Sequence, residues 1–178
     1  MKRIMACLAF VLAAGAASAQ SPYSGMQTRP IKALSEQQVA DLKAGRGMGL
    51  AMPAELNGYP GPMHVLELAD KLALTTGQHD AFKAMFASMK AEAVSLGEEL
   101  IALEGTLDRQ FADRTVTPDT LVATTAKIAD VQGKLRNAHL KYHLTAAEAL
   151  TPEQRQAYAL LRGYDAAPSG HSGHQRRH

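Results

Sequence analysis

The sequence has little cysteine and little aromatic character. Its 178 residues include one cysteine, Cys7, five tyrosines, four phenylalanines and no tryptophan. Because Cys7 falls in a segment that we expect to be removed, the mature chain would contain no disulfide, no thiolate metal ligand and no cysteine nucleophile. With so few aromatic residues, the apolar positions are largely alanine and leucine, and this composition favours helices.

Long hydrophobic runs are also missing. The longest extends from Ile4 to Ala17, about 14 residues, whereas a helix needs roughly 20 to cross a bilayer. A Lys-Arg pair precedes this run and an A-S-A sequence closes it, which is the three-part pattern of a secretory signal peptide. We therefore predict that residues 1–19 are cleaved after Ala19 and that the mature protein is periplasmic, with no transmembrane segment.

The predicted mature sequence has no excess of either charge, and the chain has no recognisable catalytic motif. Removal of the basic pair at positions 2 and 3 leaves 17 basic and 17 acidic side chains, with histidine counted as neutral. This balance gives no indication of nucleic-acid binding. Neither H-E-x-x-H, nor G-x-S-x-G, nor a glycine-rich phosphate loop is present. We predict a binding protein rather than an enzyme.

Turn and helix-start signals divide the mature chain into three parts. Residues 20–62 are expected to be a flexible segment with one short helix, from Ser35 to Ala44, and a stretch rich in glycine and proline at 45–62. We expect residues 63–164 to form a helical domain and residues 165–178, rich in histidine and arginine, to form a disordered tail. In the domain, LTTGQ at 74–78 and LTPEQ at 150–154 each predict a capping box, in which threonine and glutamine together close a helix N-terminus.

Two long helices are predicted between these capping boxes. Apolar residues recur every three or four positions from Phe82 to Phe111, and a weaker stripe of the same period runs from Leu121 to Ala146. Thr117 and Pro118 restart the second helix after a short break. Because helices joined by a short link pack side by side in opposite directions, we predict an all-α fold, a long antiparallel helical hairpin with short flanking helices.

A pair of histidines on the second long helix is the main candidate for a binding site. His139 and His143 are four residues apart, so both imidazoles lie on one helix face and can bind one metal ion. With the turn centred near Thr115, these histidines lie at the level of Met85 and Met89 on the first helix. Imidazole together with thioether sulfur favours copper, and Cu(I) in particular.

A further candidate metal ligand lies outside the hairpin. His64 lies on the short helix that starts at Pro62, with Glu67 one turn on, and could complete a metal shell. The alternatives are that the two helix histidines face solvent and that Met85 and Met89 only fill the core. Three more methionines in or beside the Gly/Pro stretch, Met48, Met52 and Met63, are better interpreted as a cover for the hairpin. The histidines of the tail, His171, His174 and His178, give no defined site.

The two capping boxes also carry a resemblance. LTTGQ and LTPEQ match the L-T-x-x-Q motif of the Spy/CpxP family of periplasmic proteins, and the flanked hairpin is similar too, over roughly residues 64–164. The resemblance implies a curved helical dimer that shields unfolded clients without ATP. In the ZraP/CnrX-like heavy-metal branch it implies metal ligands instead.

The heavy-metal branch matches this chain only in part. The placement of His139 and His143 is similar to an H-x-x-x-M pair of the sensor CnrX, with His143 where that protein has methionine. His64 lies near the first histidine of an H-x-x-x-H pair, but Leu68 stands in place of the second, and Met85 lies near a glutamate position. The resemblance also implies a membrane-bound signalling partner in that branch.

Two functions therefore compete at the level of sequence. In the first, the protein belongs to the envelope or heavy-metal stress response and binds a transition metal ion (Cu, Ni, Co or Zn) through His139, His143, Met85, Met89 and His64. In the second, it is an ATP-independent chaperone for unfolded proteins. Both interpretations include a homodimer.

Overall fold

The computed structural model describes residues 22–164. The predicted signal peptide at 1–19 and the predicted tail at 165–178 lie outside the described residues. Within the described range the chain is helical and contains no strand. The prediction of an all-α fold is confirmed.

Between residues 22 and 164, six α-helices follow one short 3-10 turn at Met26–Thr28. They are α1 (Glu36–Lys43), α2 (Met52–Glu55), α3 (Pro62–Glu67), α4 (Thr76–Ala112), α5 (Pro118–Ala149) and α6 (Pro152–Arg162). The long helices α4 and α5 form the predicted hairpin, and the four short helices flank it. The short helix predicted from Ser35 to Ala44 is observed as α1, and α3 and α5 begin at the predicted prolines, Pro62 and Pro118. The second short helix of the 20–62 segment, α2, was not among the predicted elements.

Hydrogen bonds between α4 and α5 show that the two helices run antiparallel. Near the turn, Gln110 Nε2 donates to Thr124 Oγ1 at 3.3 Å. Further along, Lys141 Nζ donates to Glu92 Oε1 at 2.8 Å. Two apolar clusters stabilise the pair. One joins α1 to the middle of the hairpin through Leu42, Ala93, Leu100, Ile128, Val131 and Leu135. The other packs the open end against α3 and α6 through Val65, Leu72, Phe82, Ala146, Leu150 and Tyr158.

Four helices start with a capping box, and each box is at a predicted N-terminus. The capping residues are Ser35 for α1, Thr75 for α4, Thr117 for α5 and Thr151 for α6. In each box the hydroxyl accepts the N–H three residues on, and the side chain at that position bonds back to the N–H of the cap. Two of the backbone donors that a helix leaves unpaired are thereby satisfied. Gly163 ends α6 in the left-handed conformation.

The residues before α3, for which the composition predicts flexibility, lie along the hairpin in the structure. Leu42 is 3 % exposed and its backbone lies against Gly97 of α4. Gly45 has φ +66° and lies so close to α4 that a Cβ there would be 3.0 Å from the Lys90 carbonyl oxygen. Pro60 and Pro62 are fully buried. Glycine and proline thus give this stretch a fixed path over the helices, because they allow close approach and limit the backbone.

We name residues 45–62 the Gly/Pro segment. It includes α2, which contacts α5, so the segment lies over one face of the second hairpin helix. None of the helices in the described range is both long enough and apolar enough to cross a membrane.

Candidate metal site

A cavity of about 560 Å³ lies between the Gly/Pro segment and the hairpin. Its hairpin wall falls between the two apolar clusters, at Met89 of α4 and at His139 and His143 of α5. The opposite wall is the Gly/Pro segment with the start of α3. Four further sulfur or imidazole side chains line the same space, namely those of Met48, Met52, Met63 and His64. We name this space the His/Met cavity.

His139 is buried and has an unpaired nitrogen. Its side chain is on the α5 face that the Gly/Pro segment covers, and the residue is only 3 % exposed. Nε2 is buried and has no hydrogen-bond partner among residues 22–164. Burial, with the neighbouring imidazole of His143, holds the pKa of His139 below its usual value near 6.5. His139 is therefore neutral at pH 7 and keeps a lone pair for a Lewis acid.

His143 is buried as well, but its ring is held by the Gly/Pro segment. Nδ1 lies 2.7 Å from the carbonyl oxygen of Tyr59 and 3.7 Å from Glu55 Oε2. Because a carbonyl oxygen can only accept, Nδ1 carries the hydrogen and donates it. In the neutral ring the lone pair is then on Nε2, the arrangement found in metal-binding histidines whose other nitrogen is held by a carbonyl or carboxylate.

Gly61 lies directly against the His143 ring. A Cβ at this position would be 3.0 Å from Cε1 and 3.3 Å from Nε2 of the imidazole. The backbone of Gly61 has φ −82°, which any residue can adopt, so the requirement for glycine here is one of space. The backbone of the segment thus packs against the His143 imidazole with no room for a side chain at position 61.

Met89 and His64 are the other predicted ligands in the cavity. Met89 is 7 % exposed and lines the wall beside the two α5 histidines. His64 is partly exposed at the start of α3, and its Nδ1 donates to Glu67 Oε2 at 2.9 Å. That bond leaves His64 Nε2 without the hydrogen in the neutral ring. These two side chains and the α5 pair thus line one cavity.

Met85 is not part of this site. It does not line the cavity, and it packs instead against the apolar cluster that contains Phe82 and Val65. Met85 lies one helical turn before Met89. Its side chain therefore packs in the core at the open end of the hairpin, whereas that of Met89 lines the cavity. Packing in the core is the alternative that the sequence left open for Met85.

Glu55 is part of the site although no sequence motif pointed to it. This side chain connects three parts of the fold: Oε2 accepts from the Gly61 N–H at 3.0 Å, and Oε1 accepts from the hydroxyls of Tyr158 and, at 3.0 Å, Tyr164. Arg162 Nε lies 3.5 Å from Oε1. The available signal was that Glu55 is the one acidic residue of the Gly/Pro segment.

The donor atoms at this site are imidazole nitrogen and thioether sulfur. Within residues 22–164, no three His, Cys, Asp or Glu side chains converge to form a metal shell, so sulfur or another ligand would have to supplement the histidines. Met89 is the buried thioether of the set. Met48, Met52 and Met63 are 41–57 % exposed at the cavity rim. Such a mixed nitrogen and sulfur set suits soft or borderline late transition metals rather than Mg²⁺ or Ca²⁺.

Comparison with protein-family models, with curated proteins and with solved structures finds no match to this chain. The Spy/CpxP resemblance therefore rests on the sequence motifs alone and stays a prediction.

Proposed function

We propose that this protein is an exported, periplasmic metal-binding protein whose His/Met cavity takes a late transition metal, with Cu(I) as the favoured ion. His139 and His143 supply two nitrogens through Nε2, and Met89 supplies a thioether. His64 and the rim methionines are candidates for further ligands. Heavy-metal or envelope stress is the setting that the signal peptide and the L-T-x-x-Q motifs favour.

One observation carries the proposal: in the described part of the chain, His139 Nε2 is buried beside a cavity without a hydrogen-bond partner. An unpaired buried polar atom costs about 1–3 kcal/mol, so its retention calls for a compensating role. A bound metal ion satisfies that nitrogen directly. The neighbouring imidazole of His143 is already oriented with its hydrogen on Nδ1.

The preference for Cu(I) follows from the sulfur atoms. Cu(I) accepts two or three soft ligands and tolerates thioether, whereas Zn(II) and Ni(II) gain little from methionine. Four methionines line this cavity, while its one carboxylate, Glu55, is taken up by hydrogen bonds to Gly61 and two tyrosines. The neutral state of His139 at pH 7 removes proton competition for one of the nitrogens.

The test is a Cu(I) titration of the mature protein under reducing conditions against a chromogenic Cu(I) chelator. Replacement of the three tail histidines by alanine removes the tail as a competing site. We expect one Cu(I) per chain, and we expect its loss in the His139→Gln/His143→Gln double variant. Circular dichroism checks that the variant is folded. Equal binding by both proteins would remove the proposed site.

The chaperone interpretation remains a second prediction from the sequence. Suppression of light scattering by an aggregating client, without ATP, measures it separately. No suppression at a several-fold excess over the client would count against it.

A further inference from the structure

We propose that Glu55 is a positioning residue of the metal site, which holds the Gly/Pro segment so that the Tyr59 carbonyl fixes the His143 ring with Nε2 as its only coordinating nitrogen. This inference rests on the proposed function for its biological meaning. Its central claim, the tautomer of His143, concerns the metal-free protein and can be measured there.

The geometry around Glu55 connects α6 to the Gly/Pro segment. The hydroxyls of Tyr158 and Tyr164 both donate to Oε1, and Tyr158 is 2 % exposed. The side chain of Glu55 is itself 12 % exposed. Burial and the bond to this carboxylate raise the pKa of Tyr158 above its usual value, so the tyrosine stays a donor at every physiological pH. Glu55 is thus fixed from the α6 side.

The second oxygen of Glu55 faces the metal site. Oε2 accepts the N–H of Gly61 and lies 3.7 Å from His143 Nδ1. Tyr59, two residues before Gly61, presents its carbonyl oxygen to the same nitrogen at 2.7 Å. The carboxylate therefore holds Gly61, two residues after Tyr59, beside the imidazole, and its negative charge further favours a hydrogen on Nδ1.

Loss of this hold would release the ring of His143. Without Glu55, the Gly61 N–H loses its acceptor and the Tyr59 carbonyl is no longer tied to α6. Nδ1 then has no fixed acceptor, and the neutral imidazole can exchange between its two tautomers. A histidine whose ring is not held in one tautomer binds metal less well. Loss of a group that orients a metal-binding side chain typically lowers metal affinity about 10–100-fold.

The experiment compares four full-length mature proteins: the wild type and the variants Glu55→Ala, Glu55→Gln and Asp41→Ala. Asp41 is the matched control, because it pairs with Arg46 at the other end of the Gly/Pro segment. Long-range ¹H–¹⁵N spectra of histidine-labelled, metal-free protein at pH 8 report the tautomer of His143. Chelator competition reports Cu(I) affinity, and thermal unfolding reports the fold.

We expect a single Nδ1–H tautomer at His143 in the wild type and in Asp41→Ala. Glu55→Ala should show averaged tautomers and a Cu(I) affinity lower by about 10–100-fold. Glu55→Gln, which keeps one oxygen acceptor and the side-chain shape, should retain the tautomer and most of the affinity. A wild-type tautomer and affinity in Glu55→Ala would overturn the proposal, and so would an equal change in Asp41→Ala.

A second variant keeps the inference testable if Glu55→Ala does not fold. Gly61→Ala keeps the Glu55 side chain but puts a methyl group 3.0 Å from His143 Cε1 and 3.3 Å from Glu55 Oε2. We expect this methyl group to push the imidazole and the carboxylate apart and to lower Cu(I) affinity about 10–100-fold. A wild-type tautomer together with wild-type affinity in Gly61→Ala would contradict the proposal. If the wild type binds no metal, the proposed function fails, while the tautomer spectra still decide the role of Glu55.

Discussion

Gln78 and Gln154 hold each other through two reciprocal amide hydrogen bonds. Nε2 of Gln78 donates to Oε1 of Gln154 at 2.9 Å, and Nε2 of Gln154 donates to Oε1 of Gln78 at 3.1 Å. Each amide oxygen also accepts the backbone N–H of its own helix cap, Thr75 or Thr151. The second amide hydrogen of Gln78 is donated to the carbonyl of Ala149, and that of Gln154 is donated to the carbonyl of Leu72. Both side chains are therefore fully satisfied, and the two L-T-x-x-Q motifs form one contact.

We predict that this glutamine pair stabilises the open end of the hairpin. Gln78→Ala or Gln154→Ala should each lower the free energy of unfolding by about 2 kcal/mol, because each change leaves partly buried hydrogen-bond partners of the lost amide unpaired. The double variant should lose less than the sum, since the two residues share their bonds. Urea unfolding of the single and double variants measures this coupling.

Gln38 provides the control for the glutamine pair. It completes the capping box of α1 and its side chain bonds back to the Ser35 N–H, but it has no glutamine partner. Gln38→Ala should therefore cost about 0.5–1 kcal/mol, the range of an isolated cap interaction. If the losses of stability in Gln78→Ala and Gln154→Ala simply add in the variant that carries both changes, the reciprocal pair contributes nothing of its own.

Gly97 sets how closely α1 packs on α4. A Cβ at Gly97 would lie 2.5 Å from the carbonyl oxygen of Leu42, so the backbone of α1 would have to move. We expect Gly97→Ala to destabilise the protein by about 1–3 kcal/mol in spite of the higher helix propensity of alanine. Gly133 is the matched control, because it is exposed on α5 and a Cβ there meets nothing within 4 Å. Gly133→Ala should stabilise by about 0.5–1 kcal/mol, and equal effects of the two changes would contradict this account of Gly97.

Local signals in the sequence were sufficient to predict the hairpin and its helix starts. Threonine or serine followed by proline or by a glutamine three residues on marks a cap because the backbone donors of a first turn need nearby acceptors, and all four predicted caps are present. The spacing of His139 and His143 likewise followed from the helical period. These inferences depend on residues within a few positions of one another.

The cover over the histidines could not be predicted in the same way. Two histidines four residues apart on a helix are compatible with a solvent-facing pair, but in the structure both are buried, with Gly47 against His139 and Gly61 against His143. The path of this cover depends on contacts between residues far apart in sequence, such as Gly61 with His143 and Leu42 with Gly97. A run of glycine and proline gives no periodicity from which such contacts can be read. The same reason explains why Glu55 was missed.

Met85 and Met89 allow a direct test of which methionine contributes to the site. Met89 lines the His/Met cavity, whereas Met85 packs in the apolar cluster at the open end of α4. Met89→Leu should weaken Cu(I) binding about tenfold and leave Ni(II) binding nearly unchanged, because only the soft ion gains from thioether. Met85→Leu should change neither affinity. Both substitutions conserve volume and should cost less than about 1.5 kcal/mol of stability. Equal Cu(I) affinities for the two variants would exclude Met89 as a ligand.

His139 makes the stability of the metal-free protein depend on pH. Burial holds the pKa of the folded-state imidazole below its usual value near 6.5, while the unfolded chain titrates at about that value. As the pH falls below about 6.5, the unfolded chain binds a proton at this site before the folded protein does, so the free energy of unfolding decreases until the folded-state pKa is reached. The contribution is therefore present at pH 7–8 and is lost on acidification. We expect the wild type to lose stability between pH 7 and pH 5 more steeply than His139→Gln, measured by urea unfolding in the presence of a chelator. A His139→Gln slope equal to that of the wild type would show that this imidazole is not held neutral by burial.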